Sequence, residues 1–241
     1  DRARQYTGML SYVDAAGQEV SLDATLEGRG NWRLEKSNCR YAQLWVDLKR
    51  GQTAGTLFAN QNRLKLVVQC GPQNRYQDYI VKEHQLYRVF AALSALNFDT
   101  RLLHVTYSDS DAPGRERTHL AFFIEHQNRI RDRFALEDVE LNSIDYGDLD
   151  PLQSTLVNLF MYLMGNTDFS ITQASEGEEC CHNAKLLVDD NGLYFPLPYD
   201  FDASVYVDAS YAPLPNPEFG LRNNRQRLYR GFCVPREHLD A

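Results

Sequence analysis

No stretch of the 241-residue chain approaches the roughly 18 consecutive apolar residues of a membrane span, and its most apolar helical candidate, Leu152 to Met164, is interrupted by Gln153, Ser154 and Asn158. A membrane-spanning segment is not expected. Excess positive charge is also lacking: 25 Lys and Arg stand against 33 Asp and Glu, a net charge of -8, which argues against nucleic acid as a partner. Local basic density is confined to Arg222, Arg225, Arg227 and Arg230, which either hold a phosphate or are solvated. None of the five cysteines (Cys39, Cys70, Cys180, Cys181, Cys233) has the C-x-x-C spacing of structural zinc. One or two disulfides with an odd thiol fit the count, and so do five reduced core cysteines. Repeats, low-complexity tracts and long linkers are missing. The N-terminal Asp-Arg-Ala-Arg-Gln has no apolar h-region, so a signal peptide, had one existed, is already removed. At 43% hydrophobic and 24% charged residues, a disordered chain is excluded.

What is present reads first as strands: Tyr6 to Val13, Val20 to Leu26, Gln43 to Leu48, Thr56 to Ala59 and Leu64 to Cys70, separated by turn residues at Ala16-Gly17, Gly51 and Gly55. Consecutive strands of this kind predict a meander. A helix is predicted from about Tyr79 to Leu96, then strands at Leu102 to Ser108 and Leu120 to Glu125 around the polar loop Asp109 to Thr118. The second half predicts a Leu-rich helix over Leu152 to Met164, a polar loop, a hairpin turned by Asp190-Asn191-Gly192, and irregular proline-containing sequence. Strand-rich followed by helix and loop gives an α+β, two-lobed fold: residues 1-126 as a strand-rich N-lobe with one helix (about 79-96), residues 127-241 as a C-lobe, together one functional unit. Arg225 to Cys233 reads as the start of further structure, so either a helical remainder follows or the lobe is minimal.

Several charged residues sit where chemistry would use them. Glu83 shares a helical stripe with Tyr79, Leu86, Phe90 and Leu93, so it is either a buried carboxylate needing a cation or a surface residue at a tilted stripe edge. The candidate for that cation is Lys65. Leu64, Leu66, Val68 and Cys70 share one strand face by period two, leaving Lys65 on the other with Arg63, Val67 and Gln69, a face that meets either solvent or a ligand. Asp168 follows the end of the Leu-rich helix in Gly165-Asn166-Thr167-Asp168, where it either acts as a base or closes an Asx turn. Asn183 opens the hairpin, and Asp200-Phe201-Asp202 follows it. These are oxygen donors of the kind a hard cation takes.

In that order, strand lysine, helix glutamate, loop aspartate, hairpin asparagine and Asp-Phe-Asp, the residues resemble a protein-kinase-like phosphotransferase. Phe122-Phe123-Ile124-Glu125 is similar to the last small-lobe strand leading into a hinge. With the Arg29-Gly30-Asn31 turn and the strand ending in Glu125, the chain most resembles the spore-coat kinase CotH family, over roughly residues 20 to 205. The resemblance implies a two-lobed kinase-like fold and transfer of a phosphoryl group from ATP, with Mg2+ or Mn2+, to a hydroxyl of a protein or small-molecule acceptor. It implies nucleotide binding by Lys65, Arg29 and Glu125, catalytic roles for Asp168, Lys65 and Glu83, and metal binding by Asn183, Asp200 and Asp202. The family's pattern is not met everywhere: no G-x-G-x-x-G loop is present, Gly28-Arg29-Gly30 being its nearest counterpart, and Asn166-Thr167 replace the usual His-Arg before the catalytic aspartate. A pseudokinase-like nucleotide- or partner-binding module is the alternative, and a hydrolase built on an Asp200, Asp202 or Asp168 carboxylate pair ranks third. An insertion holding Glu176, Glu178, Glu179 and Cys180-Cys181 separates Asp168 from Asn183. A disulfide from one of those cysteines to Cys70 or Cys39 would pin the insertion near the site, and the cysteine placement favours an extracytoplasmic protein, periplasmic or secreted.

Overall fold

The computed structural model describes residues 4-174, 179-223 and 225-232. Glu176, Glu178 and Cys233 lie outside the described residues. The fold is α+β, and the chain divides into two compact units: Asp1–His84 with Asp99–Arg129, and Gln85–Phe98 with Ile130–Ala241. A linear reading divides the chain at residue 126. The second unit additionally takes Gln85–Phe98 from within the first half of the chain.

In the first unit, β1 (Gln5–Val13), β2 (Glu19–Arg29) and β3 (Gln43–Leu48) are followed by one helical turn, α1 (Arg50–Thr53), and by β4 (Arg63–Val68). Helix α2 (Arg75–Leu93) comes next, then β5 (Thr100–Tyr107) and β6 (Arg117–Ile124). The six strands form one antiparallel sheet in the order β1-β2-β3-β4-β6-β5. The meander therefore ends at β4, because β6 inserts between β4 and β5. The reason is compositional: Ala121, Phe122, Phe123 and Ile124 are all buried, so β6 needs cover on both faces, whereas β5 alternates half-buried and exposed positions and tolerates an edge. One face carries the apolar cluster of Leu22, Ala24, Val46, Leu48, Leu64, Leu66, Val68, Ala121 and Phe123, the period-two pattern read for β4.

Residues 56-59, expected as a strand, form successive turns instead. Thr56 N–H donates to the Thr53 carbonyl and Ala59 N–H to that of Thr56, between left-handed Gly55 (φ 73°) and Asn60 (φ 62°). The cysteines also depart from expectation. Cys39 is bonded to Cys70, with Cα atoms 4.7 Å apart, and Cys180 to Cys181, so no disulfide runs from the insertion to Cys39 or Cys70. Arg40 and Tyr41 both donate their N–H to the Cys70 carbonyl, at 2.8 and 3.3 Å, which brings residues 39 and 70 side by side.

Helix α2 buries Ile80, Glu83, Leu86, Tyr87 and Phe90, a helical stripe, but Leu93 is 52% exposed because the helix stops there. Beyond it the chain is held by Gln153, whose Nε2 donates to the Leu96 and Pro196 carbonyls at 3.1 and 3.0 Å. Next come α3 (Gln127–Phe134), β7 (Glu137–Asp138), α4 (Pro151–Met164), β8 (Ala184–Val188) and β9 (Tyr194–Pro198), with β7-β8-β9 forming a second antiparallel sheet. Asp150 caps α4 by accepting the Gln153 N–H at 2.6 Å, and Pro151 fills its first turn. An aromatic cluster forms the core around α4: Phe90 to Phe160 at 5.1 Å, Phe160 to Phe201 at 5.4 Å and Phe201 to Tyr87 at 4.6 Å between ring centroids. No helix among the described residues is long and apolar enough to cross a membrane.

Candidate functional site

In the second unit the end of α4 positions the loop aspartate. Gly165 ends the helix in the left-handed conformation (φ 67°), and Asn166, almost fully buried, donates its N–H to the Met161 carbonyl at 2.9 Å. The Asx turn expected at Asp168 is made by Asn166, whose Oδ1 accepts the Asp168 N–H at 2.9 Å. That leaves the Asp168 carboxylate for other work.

Two neighbours in the sequence hold this carboxylate. His182 Nε2 lies 2.8 Å from Asp168 Oδ1, and Asn183 Nδ2 donates to both the Asp168 carbonyl (2.7 Å) and Oδ2 (3.1 Å). Backbone bonds fix the contact: Ser170 N–H donates to the His182 carbonyl at 2.9 Å, and His182 N–H to the Gln173 carbonyl at 3.1 Å. Asn183 is left-handed (φ 52°), which asparagine tolerates better than most residues and which turns its amide back toward the loop. With Nδ2 committed twice, its Oδ1 is the atom suited to a cation.

Asp200 sits at the same end of the β8–β9 hairpin. Tyr199 N–H donates to the Asn183 carbonyl at 3.0 Å, continuing the register of Ala184 opposite Pro198. Asp200 is left-handed (φ 62°), and its N–H donates to Tyr87 Oη at 3.0 Å while Phe201 is buried against Tyr87 and Phe160. The buried phenylalanine thus anchors a partly exposed aspartate on either side of it. Val205 and Tyr206 donate their N–H groups to the Gly165 and Met164 carbonyls, each at 3.2 Å, tying the segment after Asp202 to the end of α4.

A recess of about 280 Å³ opens beside Asp168 and His182, lined also by Ser170, Phe219 and Arg230. Arg230 donates to the carbonyls of Thr167 and Phe169 and lies over the Phe169 and Phe219 rings, 5.1 and 4.5 Å from their centroids. Burial pushes its guanidinium below the usual arginine range, and nearby Asp168 opposes that shift. The four-arginine tract is therefore not one basic patch. Arg230 and Arg227, whose Nε donates to the Leu163 carbonyl at 3.1 Å, close the end of α4, while Arg225 faces Asp208 at 3.8 Å. His182 and Arg230 were invisible as partners of Asp168 in the sequence.

In the first unit, Lys65 is 8% exposed and Glu83 2%, and neither buried charge is left without a partner. Lys65 stands opposite Trp45 in the β3–β4 pairing, on the face away from the apolar cluster. Helix α2 covers that face, with His84 against Phe122 at 5.6 Å and Gln77 Oε1 accepting the Leu120 N–H at 2.9 Å. Trp45, which the sequence did not single out, gathers three cations: Arg63 at 4.5 Å, Lys65 at 5.6 Å and Arg29 at 5.8 Å from its ring centroid. Arg29 also donates to Gln43 Oε1 across the strand pair at 2.8 Å. Glu125 is buried, and it accepts the Asp99 N–H at Oε1 (2.8 Å) and donates its own N–H to the Asp99 carbonyl (3.0 Å), which fixes the end of β6 to the start of β5.

Among the described residues no group of three or more His, Cys, Asp or Glu is placed to hold a metal ion, so Asp200 and Asp202 do not form part of a self-sufficient metal cage. Asn183 and Asp200, brought to the same end of the hairpin by the Tyr199 N–H bond to the Asn183 carbonyl, are the oxygen donors that could take part in holding a hard cation. No protein-family model, curated protein or solved structure matches the chain.

Proposed function

We propose that the protein is a metal-dependent phosphotransferase of the atypical-kinase kind, moving the γ-phosphoryl group of ATP to a hydroxyl of a protein or small-molecule acceptor. The observation that carries this reading is the double hydrogen bond from Asn183 to Asp168, through which one side chain would couple a base to a cation ligand. Asp168 would orient the acceptor hydroxyl and take its proton, with His182 and Arg230 limiting the movement of its carboxylate. Asn183 Oδ1 and Asp200, with Asp202 adjacent, would hold Mg2+ or Mn2+, which neutralises charge developing on the phosphates when bound. Lys65 would neutralise nucleotide phosphates and Glu83 would keep it in place, while Arg29 beside Trp45 would stand in for the missing glycine loop. The Cys39–Cys70 bond supports an extracytoplasmic setting, periplasmic or secreted, because such bonds persist in oxidising compartments.

One observation favours a second reading, a nucleotide-binding module without transfer: both oxygens of Asp168 are already engaged, at 2.8 and 3.1 Å. Each carboxylate oxygen keeps a further lone pair, so the engagement is compatible with a base. Thermal-shift titration separates the two. A site that binds only the folded protein raises its apparent stability with ligand concentration. Stabilisation by ATP with Mg2+ accompanied by turnover fits the enzyme, stabilisation without turnover fits the module, and no stabilisation contradicts both.

A further inference from the structure

Among the described residues four strands end a sheet: β1 and β5 in the first unit, β7 and β9 in the second. An edge strand offers a row of open N–H and C=O groups to any other extended chain, and folded proteins blunt such edges with charge, proline, brevity or a bulge. Three of the four are blunted. β5 carries exposed Arg101 and His104, β7 is two residues long with both acidic, and β9 contains Pro196 and Pro198. β1 has none of these devices. Its nine residues, Gln-Tyr-Thr-Gly-Met-Leu-Ser-Tyr-Val, include no charge and no proline in a chain of net charge -8. Its pairing with β2 runs without a bulge from Gln5 opposite Glu27 to Val13 opposite Glu19. Tyr6, Met9 and Val13 along it are 50%, 69% and 68% exposed.

The groups that this edge leaves open follow from the hairpin. Asp14 N–H donates to the Gln18 carbonyl at 2.9 Å, the rung that continues the β1–β2 register past Val13. Antiparallel rungs alternate between hydrogen-bonded and non-bonded pairs, so Tyr12, Leu10, Gly8 and Tyr6 are the residues bonded to β2. Gln5, Thr7, Met9, Ser11 and Val13 turn their N–H and C=O groups outward. The side chains divide by the same period. Leu10 packs against the apolar cluster, and Tyr12 lies 5.7 Å from the Phe58 ring while its hydroxyl accepts the Leu57 N–H at 3.0 Å. On the other face Ser11 shares a hydrogen bond with Ser21 at 2.7 Å.

We infer that β1 pairs with β1 of a second copy of this chain, antiparallel about a two-fold axis at Met9, joining the two six-stranded sheets edge to edge. Of the antiparallel registers this one overlaps all nine residues, and it sets outward-turned groups opposite outward-turned groups. On one face Met9 meets Met9, Thr7 meets Ser11 and Gln5 meets Val13. On the other, Tyr6 meets Tyr12 and Gly8 leaves room for Leu10, so no like charges face each other and the exposed aromatic gains an aromatic partner. Such a pair is isologous and closes on itself. Pairing of β1 with the β5 edge of another copy would leave edges free for further copies, and Arg101 and His104 oppose it. A single pair of nine-residue strands is a small interface, so a Kd on the order of 10 µM is expected.

Sedimentation equilibrium of the full chain, from well below to well above that concentration, is expected to show a reversible monomer–dimer equilibrium that goes no further. Met9→Lys sets two ammonium groups against each other at the axis and is expected to raise the dissociation constant about tenfold or more. Its melting temperature in dilute solution is expected to match that of wild type, because Met9 is exposed in the single chain. Amide hydrogen exchange gives a second reading that needs no variant. Raising the protein concentration is expected to slow exchange at Thr7, Met9 and Ser11 far more than at Gly8 and Leu10, which are already bonded to β2. A chain that stays monomeric throughout, association that continues beyond two copies, a dimer undiminished by Met9→Lys, or protection of Thr7, Met9 and Ser11 that does not depend on concentration overturns the inference. The last of these would mean that another segment of the same chain covers the edge.

Discussion

Asn183 donates its amide to both the backbone carbonyl and the carboxylate of Asp168, at 2.7 and 3.1 Å, from a left-handed backbone position with φ 52°. The side chain and the backbone geometry of residue 183 therefore make separable contributions. Asn183→Ala loses the bonds and adds left-handed strain, for a cost of roughly 2–3 kcal/mol. Asn183→Gly loses the bonds but relaxes the backbone, and is expected to stay within about 1 kcal/mol of wild type while losing transfer by 100-fold or more. Denaturant unfolding of both variants beside their phosphotransfer rates checks this; an active Asn183→Gly protein would remove Asn183 from the site.

Gly165 ends α4 at φ 67°, where an added Cβ would lie 2.6 Å from Val205 Cγ2. Gly165→Ala is expected to cost roughly 2–4 kcal/mol from left-handed strain and overpacking. Val205→Ala in the same chain is expected to return the overpacking share but not the strain, so the double variant is more stable than the sum of the single losses. Additive losses in chemical denaturation would show that the two residues do not meet.

Lys65 and Glu83 are both buried charges of the first unit. Breaking a buried pair leaves an uncompensated charge and costs about 3–5 kcal/mol, whereas replacing both partners can be close to neutral. Lys65→Met and Glu83→Gln are each expected to destabilise by that order, and the double variant to recover at least half of the summed loss. A double-mutant cycle with no coupling would mean that each charge is held by other groups.

The sequence was most legible where burial follows a short period. The strand expected over Gln43–Leu48 between turn residues matches β3 to the residue, and the three- and four-residue spacing marked the stripe in α2 that buries Glu83 and Phe90. Helix α3 was missed because Gln127–Phe134 buries only Ile130 and shows no apolar stripe to read. The insertion of β6 beside β4 was not legible either, since pairing order depends on which strand needs two covered faces and not on local pattern. At the site, Asp168, Asn183 and Asp200 could be singled out as residue types in order. The neighbours that shape Asp168 could not: His182 lies 14 residues away, and Arg230 bonds to Phe169 across 61.

Tyr107 links the fold to pH. Its hydroxyl titrates near 10 when unfolded and, through burial, at about 12 in the fold, so the folded state holds its proton longer. Its contribution is fully present below pH 10 and is lost as the pH rises from 10 through 12. Unfolding free energies measured across that window are expected to fall less steeply for Tyr107→Phe than for wild type. Equal slopes would place Tyr107 in a solvent-like environment.

The Cys39–Cys70 bond closes a loop of sequence separation 31. Loop-closure entropy alone gives about 3.5 kcal/mol for a crosslink of that span. Cys39→Ser with Cys70→Ser is expected to lose roughly 2–4 kcal/mol in denaturant unfolding, and thiol counting of the unreduced protein to find neither Cys39 nor Cys70 reactive. Reactive thiols at both positions would remove the support for an oxidising compartment.

The most direct test of the phosphotransfer reading is transfer of a labelled γ-phosphate from ATP by the purified chain, to itself or to a panel of protein and small-molecule hydroxyls, with Mg2+ or Mn2+. That reading predicts metal-dependent incorporation that falls by at least 100-fold in Asp168→Asn and in Asp200→Ala. Failure to bind ATP with either metal, or transfer unchanged by Asp200→Ala, would contradict it.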